Sequence, residues 1–440
     1  MESRVRDQRD RLGRFLSQML QGLGRSERRQ WGGVYVRGLL STTERKTAAR
    51  LAERLPDGDE QARQQFVGQS PWAWEPVRRQ LAQHAVGNLD PVAAWVIDDT
   101  GFPKKGAHSV GVARQYSGTL GRVDNCQVAV SLHYATDDAA IPLDFALYLP
   151  EEWLTPERRT EAGIPDDVGF QTKWELALGL VDQALAWDIK SGVVAADAGY
   201  GDVAAFREGL TARGLTYAVG IRNHTAIWLE DVDVAPPPYR GQGRPRRIPE
   251  GLPRATRVLD LAQQLPEAAW QPITWREGTK GPMTSRFAAA RVRPSHQFRH
   301  RPLKEGVLWL LMEWPAGEAH PSRFWFSTVP AATDLPSLVR LVKIRWWVEQ
   351  GYQQLKDELG LDHYEGRTWR GWNHHVTLTM LAFAYLVLEM RQGEKTSGPP
   401  MRLPAVRREL QRMLALWTGT CMWCGQRPRR SRQIRLNVTE

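Results

Sequence analysis

Between residues 92 and 221 short apolar runs alternate with turn-forming residues in one fixed order, and that order narrows the folds open to the chain. Ala93 to Asp99 (AAWVIDD), Cys126 to Tyr134 (CQVAVSLHY) and Pro142 to Leu149 (PLDFALYL) are β-branched or alternating runs parted by Gly, Asp and Pro, so they predict three strands joined by turns. A helix follows from Thr172 to Trp187, then a buried strand from Gly192 to Asp197 (GVVAAD). A helix near Asp202 to Arg213 and a strand from Leu215 to Ile221 complete the series. A three-stranded meander followed by helix, strand, helix and strand describes an α/β domain.

That element order is the one found in ribonuclease-H-like domains. Ahead of it, residues 1–88 read as helical, with periodic apolar positions such as Phe15, Met19 and Leu20 and a second stretch opening at Pro76. Residues 222–333 interrupt the core with Pro236 to Pro238, the basic RGQGRPRR run from Arg240 to Arg247, and alternating runs at Val307 to Met312 and Phe324 to Thr328. They predict a mainly β insertion. A long helix is then expected from a Ser337 cap to Leu359, stopped by Gly360, followed by a buried helix at 376–390. The expected organisation is a helical basic domain (1–88), a core in two parts (89–221 and 334–390) split by the insertion, and a linker with a basic tail (391–440).

Composition limits the function classes. Three cysteines cannot build a disulfide framework, and the start MESRVRDQRD has no apolar signal region, so a cytoplasmic, nucleoid-associated protein is expected. The longest apolar run, Val376 to Met390, falls short of the ~20 residues that span a bilayer, so no membrane partner is expected. The net charge is +10, unevenly placed: residues 1–50 carry +7 and residues 391–440 carry +8, while the 340 between them hold 36 cations against 41 anions. Basic ends around a mildly acidic middle suit a protein that grips a polyanion and keeps carboxylates for other work, although surface solubility explains the charge equally well. Nineteen tryptophans fit either base stacking or large cores.

The carboxylates carry the chemistry. Asp98 and Asp99 end the first predicted strand and Asp197 ends the fourth; each could cap the next turn or face a site at the sheet's carboxyl edge. In the first and fourth strands of a ribonuclease-H-like sheet those ends lie side by side. On the helix KIRWWVEQGYQQLKDELGL, Arg345, Glu349, Tyr352 and Lys356 recur at i, i+4, i+7 and i+11 and share one face, which is also the pattern of a solvated charge ladder. Three carboxylates from distant points suit two hard divalent ions that activate a hydroxyl nucleophile and stabilise the leaving oxygen of a phosphodiester.

The run IDDTGFPKKGAHSVGVARQYSGTLGRVDNCQVAVSLHYA (97–135), the segment DAGYG (197–201) and the helix RWWVEQGYQQLKDELGLDHYEGRTWRGW (345–372) resemble the DDE transposases of bacterial insertion sequences, most closely insertion sequence family seven-zero-one of the insertion-sequence-four-like group. The resemblance covers most of residues 1–390 and implies a ribonuclease-H-like catalytic domain with a β insertion before the glutamate. It implies catalytic metal ligands at Asp98, Asp197 and Glu349, with Asp99 in reserve for Asp98, and two Mg²⁺ ions per site for which Mn²⁺ substitutes. Its D-x-x-Y-G pattern falls on Asp197, Tyr200 and Gly201; its Y-R-E-K signature falls on Arg345, Glu349 and Lys356, with Val342 at the tyrosine position.

The activity so implied is cutting at the element's ends and joining of the freed 3′-hydroxyls to target DNA, by a homodimer on double-stranded DNA. DNA contacts are expected from Lys104, Lys105, Arg114, Arg345 and Lys356, and from Arg244 and Arg246 within the RGQGRPRR run, whose Gly-Arg-Pro resembles a minor-groove hook but whose short basic stretch favours phosphate contact. Trp309, Trp314 and Trp325 are candidates for stacking on a displaced base or for core packing. Cys421 and Cys424 form half a zinc site at most, and His374 and His375 read as structural. Two rivals remain at this stage: a catalytically inactive DNA-binding descendant of such an enzyme, and a glycoside hydrolase, whose paired carboxylates would need no metal.

Overall fold

The computed structural model describes residues 2–41, 45–47, 50–51, 60–89, 91–234, 251–278, 281–295, 306–395, 405–408, 410–411 and 414. Arg244 and Arg246, the Cys421/Cys424 pair and nearly all of the basic tail lie outside the described residues.

The helices whose bounds are described ahead of the first strand are α1 (Glu2–Met19), α2 (Ser26–Ser41), α3 (Glu60–Gly68) and α4 (Glu75–Leu89). They gather around the last long helix, which explains why an apolar segment can be buried on every side without lipid. That helix, α12 (Trp369–Lys395), is tied to the N-terminal region at several points. Arg11 makes a two-pronged pair with Glu389 at 2.8 and 2.7 Å, and the Tyr35 hydroxyl donates to His375 Nδ1 at 2.9 Å. The His375 Nε2–H donates in turn to the Gly360 carbonyl at 3.0 Å. The His374 ring stacks on Trp72 at 3.6 Å between centroids. None of the described helices is long and apolar enough to cross a membrane.

The strands are β1 (Ala94–Pro103), β2 (Ala113–Ser117), β3 (Arg122–Ala135), β4 (Ala140–Leu147), β5 (Val193–Ala196) and β6 (Tyr217–Ile221). Between β4 and β6 lie helices α5 (Pro156–Ala162), α6 (Lys173–Ala186), α7 (Ala198–Gly201) and α8 (Ala204–Ala212). The order β4-β3-β1-β5-β6, with β3 antiparallel to both β4 and β1, and β5 and β6 parallel to β1, is the ribonuclease-H-like arrangement. Thr172 and Glu175 close a capping box at the start of α6, which begins where the sequence reading expects it.

Residues 222–333 add β7 (Ala226–Leu229), β8 (Thr256–Arg257), β9 (Gln271–Gly278), β10 (Gly281–Pro294), β11 (Leu308–Trp314) and β12 (Arg323–Ser327), with helix α9 (Val258–Gln264). These strands continue the core sheet, because β12 pairs antiparallel with β6 from Phe324↔Ile221 to Ser327↔Ala218. The described strands therefore form one 12-stranded sheet.

Three local expectations are corrected. β1 does not end at Asp99 but runs on to Pro103, since the long β3 supplies partners as far as Cys126 and this pairing outweighs the turn-forming character of Gly101 and Pro103. Strand β2 was missed, as its sequence ARQYS is polar and half exposed. The helix expected from Ser337 to Leu359 is two helices, α10 (Leu335–Lys343) and α11 (Trp346–Asp357). The cap of α10 is Asp334, whose carboxylate accepts from the Ser337 N–H at 3.0 Å. Between the two helices the turn tightens, with Trp347 N–H donating to the Ile344 carbonyl and Val348 N–H to that of Arg345, each three residues back. Gly360, with φ of +69°, takes the left-handed conformation expected of a helix stop.

Candidate active site

Asp98 and Asp197 reach one another through strand register. β1 and β5 pair in parallel as Ala94↔Val193, Trp95↔Val194 and Val96↔Ala195, and the same register continued two residues places Asp98 beside Asp197. β5 stops at Ala196, so Asp197 turns out of the sheet and caps α7, its carboxylate accepting from the Gly199 N–H at 2.9 Å. Two glycines let this turn press on the neighbouring strand. A Cβ on Gly201 would stand 1.9 Å from the Gly220 carbonyl oxygen, and one on Gly220 would stand 2.9 Å from the Ala198 nitrogen. The buried Arg207 guanidinium donates to the Gly201 carbonyl and holds the turn from its other side.

Alternation along β1 sends Asp98 and Asp99 to opposite faces of the sheet. Asp99 meets the ammonium group of Lys173, the first residue of α6, at 2.6 Å. Asp98 is buried; its Oδ1 accepts from the Asp99 N–H at 2.8 Å and its Oδ2 from Arg345 Nη2 at 2.9 Å. Burial pushes the Asp98 carboxyl up to about 6; the Arg345 guanidinium opposes this rise, while Asp197 and Asp99 add to it.

Arg345 is the hub of the site. Burial works against its charge, yet Asp98, Asp197 and Glu349 together raise its pKa above the usual arginine value. Glu349, one turn into α11, is exposed and lies 3.9 Å from Arg345 through Oε1. Beneath it, Tyr352 and His133 both hydrogen-bond the buried Ser131 hydroxyl, the residue paired with Asp98 across β1 and β3. This network packs α11 against the sheet and was not foreseen; only the position of Tyr352 on the Arg345–Glu349 face hinted at it.

The expected cations divide into two groups. Lys104 donates to the Tyr364 carbonyl at 2.7 Å, and burial draws its pKa down to about 8. Lys356 donates to the Gly101 carbonyl at 2.8 Å, and burial lowers its pKa as well. Both brace backbone next to the site. Lys105 and Arg114 face solvent, Arg114 from the edge strand β2. The three tryptophans of the insertion are engaged in structure: Trp309 donates to the Pro330 carbonyl, Trp314 to that of Glu318, and Trp325 lies in the core. An unforeseen aromatic stands nearer, Trp346, with the Arg276 guanidinium 3.1 Å from its ring centroid.

The donor set suits a hard divalent cation. Two carboxylates come from adjacent strands, a third stands on a helix over them, and no sulfur or imidazole competes among these donors. The buried Thr100 and Tyr200 hydroxyls, both without a hydrogen-bond partner, add unused oxygen atoms in the same region. Among the described residues, no three His, Cys, Asp or Glu side chains close around a single ion. Such a half-open set matches Mg²⁺, which is commonly held by one or two carboxylates with waters and substrate phosphate completing its shell.

Comparison with known proteins bears on this arrangement. The chain is 32% identical over 190 residues to the probable transposase for insertion sequence element IS701 of Microchaete diplosiphon, an alignment covering 42% of this chain and 47% of that protein. The chain thus spans about half the length of this relative. Among solved structures, the cryo-EM structure of the piggyBac transposase synaptic complex with hairpin DNA aligns at a TM-score of 0.37 and 12% identity, over 78% of this chain and 55% of that one. The family model for DDE superfamily endonucleases matches residues 18–282, a span that holds Asp98 and Asp197 and stops ahead of Glu349. With well over half its length matched in this way, the chain belongs to the DDE superfamily endonucleases.

Proposed function

We propose that this chain is a DNA transposase that cuts at the ends of an insertion sequence and joins the freed 3′-hydroxyls to target DNA. The observation that carries the reading is the register of β1 and β5, which sets two carboxylates side by side beneath a helix bearing a third. Asp98, Asp197 and Glu349 would hold Mg²⁺ or Mn²⁺, two ions per site. A divalent ion in such a site supplies Lewis acidity, making a water or hydroxyl a better nucleophile and offsetting charge on the phosphodiester.

The chain's own residues do the rest. Arg345, held by Asp98, would donate charge-assisted hydrogen bonds to a phosphate entering between Asp98 and Glu349. Its place at the N-terminus of α11 adds the positive end of the helix dipole. Lys104 and Lys356 fix the walls, while Lys105 and Arg114 are free to meet the backbone of the duplex. The basic N-terminal region (1–88) is assigned to recognition of the terminal inverted repeats, Arg244 and Arg246 to contact with DNA phosphates, and a homodimer to bringing two ends together. A cytoplasmic, nucleoid-associated location follows from DNA as the substrate.

The test is cleavage of a labelled duplex that includes the element's end and its flanking DNA, with Mg²⁺, Mn²⁺ or chelator. Wild type is expected to nick at the element's end only with metal, and Asp197→Asn to bind the same duplex without cutting. Specific binding with no cutting under either metal would instead identify an inactive DNA-binding descendant, and cleavage that survives chelation would sink the metal-dependent reading.

A further inference from the structure

The hairpin formed by β2 and the start of β3 presents an apolar surface that the fold leaves uncovered. Tyr116 and Val123 stand opposite one another in the register, so their side chains share one face of the ribbon. At 60% and 53% exposure they are the two most exposed large apolar side chains among the described residues. Arg114, two residues before Tyr116 on β2, extends the same face. The other face is committed to the fold: Ser117 is buried, and Gln115 Nε2–H donates to the Cys126 carbonyl at 2.8 Å. Packing of Tyr116 on Val123 steadies the ribbon, yet threonine would suit a strand as well and keep the surface polar.

The ribbon is tied to the candidate site. Its turn reaches β1, where the Gly101 N–H donates to Thr119 Oγ1 at 3.2 Å, and the Lys356 ammonium group bonds both the Gly101 carbonyl at 2.8 Å and Thr119 Oγ1 at 3.4 Å. Gly101 stands three residues beyond Asp98, roughly 10 Å along a strand. A duplex that brings a phosphate to Asp98 therefore passes beside the ribbon. Charge suits that partner, since residues 104–125 hold four cations and one anion. The same charge disfavours a second copy of the chain, because two such faces would bring like charges together. Shape agrees as well. The major groove, about 12 Å wide, admits a two-stranded ribbon, and there thymine presents its methyl group to apolar side chains.

We propose that the β2–β3 hairpin lies in the major groove of the duplex beside the cut, with Tyr116 and Val123 against base edges that include thymine methyls and Arg114 on the flanking phosphates. This inference rests on the transposase reading above and adds to it the element that meets bases next to Asp98. Phosphate contacts set how strongly affinity depends on salt, whereas an apolar contact with a base edge adds affinity that does not depend on salt.

The experiment measures binding of the full chain to a labelled duplex of the element's end and flanking DNA, and to the same duplex with uracil in place of thymine, over a range of salt. Thermal melting and sedimentation without DNA accompany it. Tyr116→Thr and Val123→Ala are each expected to bind the thymine duplex about 5-fold or more weakly, with an unchanged salt slope and a Tm close to wild type. Wild type and Tyr116→Phe are expected to weaken on the uracil duplex, and Tyr116→Thr to respond to uracil less than they do. Wild-type affinity in both Tyr116→Thr and Val123→Ala overturns the proposal, and if those variants also sediment as smaller species, the pair joins two copies of the chain instead. Weaker binding that comes with a lowered Tm and an unchanged response to uracil makes the pair structural, against the proposal. A wild-type chain that binds neither duplex overturns the DNA reading itself.

Discussion

Arg78 is a buried cation with several partners, away from the candidate site. From α4 it bonds Asp144 at 2.6 Å, Thr377 Oγ1 at 2.8 Å, and the carbonyls of Phe145 and Asn373, so one side chain joins the N-terminal helices, β4 and α12. Burial acts against both charges of the pair, lowering the pKa of Arg78 and raising that of Asp144. Arg78→Ala should therefore lower the unfolding free energy by about 3–5 kcal/mol in denaturant melts, because Asp144 is left charged in the interior. Gly201→Ala should destabilise the Asp197 turn, since its Cβ would overlap the Gly220 carbonyl; reduced cleavage together with a lowered Tm is the expected result. His375 adds a pH dependence. It is held neutral between Tyr35 and the Gly360 carbonyl, with its pKa drawn down to about 4 by burial. The unfolded chain then binds the extra proton first, so stability present above pH 6.5 is lost as pH falls toward 4, by roughly 2 kcal/mol at pH 5 from this residue. Denaturant midpoints at pH 7 and pH 5 should show the loss, and His375→Gln should remove this residue's share of it while His374 and His133, held neutral by burial in the same way, keep theirs.

At the scale of elements, strong periodicity was legible and tertiary choices were not. The meander β1, β3, β4 and the later β5 and β6 follow from apolar runs bounded by turn residues, and α6 from the helical stretch between Thr172 and Trp187. What ends or breaks an element was harder to read. Asp334 and Ser337 both look like caps, and only the fold shows that the Asp334 carboxylate reaches the Ser337 N–H. Asp334→Ala should cost about 1 kcal/mol by thermal melting, while Ser337→Ala should cost far less. The tightened turn between α10 and α11 has no Gly or Pro to announce it. It lies where Arg345 reaches across to Asp98, a contact 247 residues distant in sequence. The candidate site was legible in the same uneven way. Asp98 and Asp197 stand out because carboxylates follow apolar runs, and Glu349 because of its helical spacing. That Lys104 and Lys356 turn to backbone carbonyls, and that Tyr352 reaches Ser131, depends on packing that no local pattern encodes.

For the whole molecule, the uneven charge makes a prediction about binding. A protein that holds DNA through its basic flanks should lose affinity linearly in log–log plots against salt, and charge-neutralising substitutions at Lys105 and Arg114 should each reduce that slope by about one. A slope unchanged in both variants would place the duplex elsewhere. The join between β6 and β12 has a different consequence. Because these strands share hydrogen bonds from Ala218 to Ile221, residues 222–333 are not a cartridge that can be lifted out or exchanged. Excising them would strip one whole side of Tyr217–Ile221, whose side chains are buried throughout, and expose a row of bare amide and carbonyl groups. The shortened chain would then be prone to stack edge to edge with its own copies, so any loss of activity on such a deletion would report clumping before it reported chemistry.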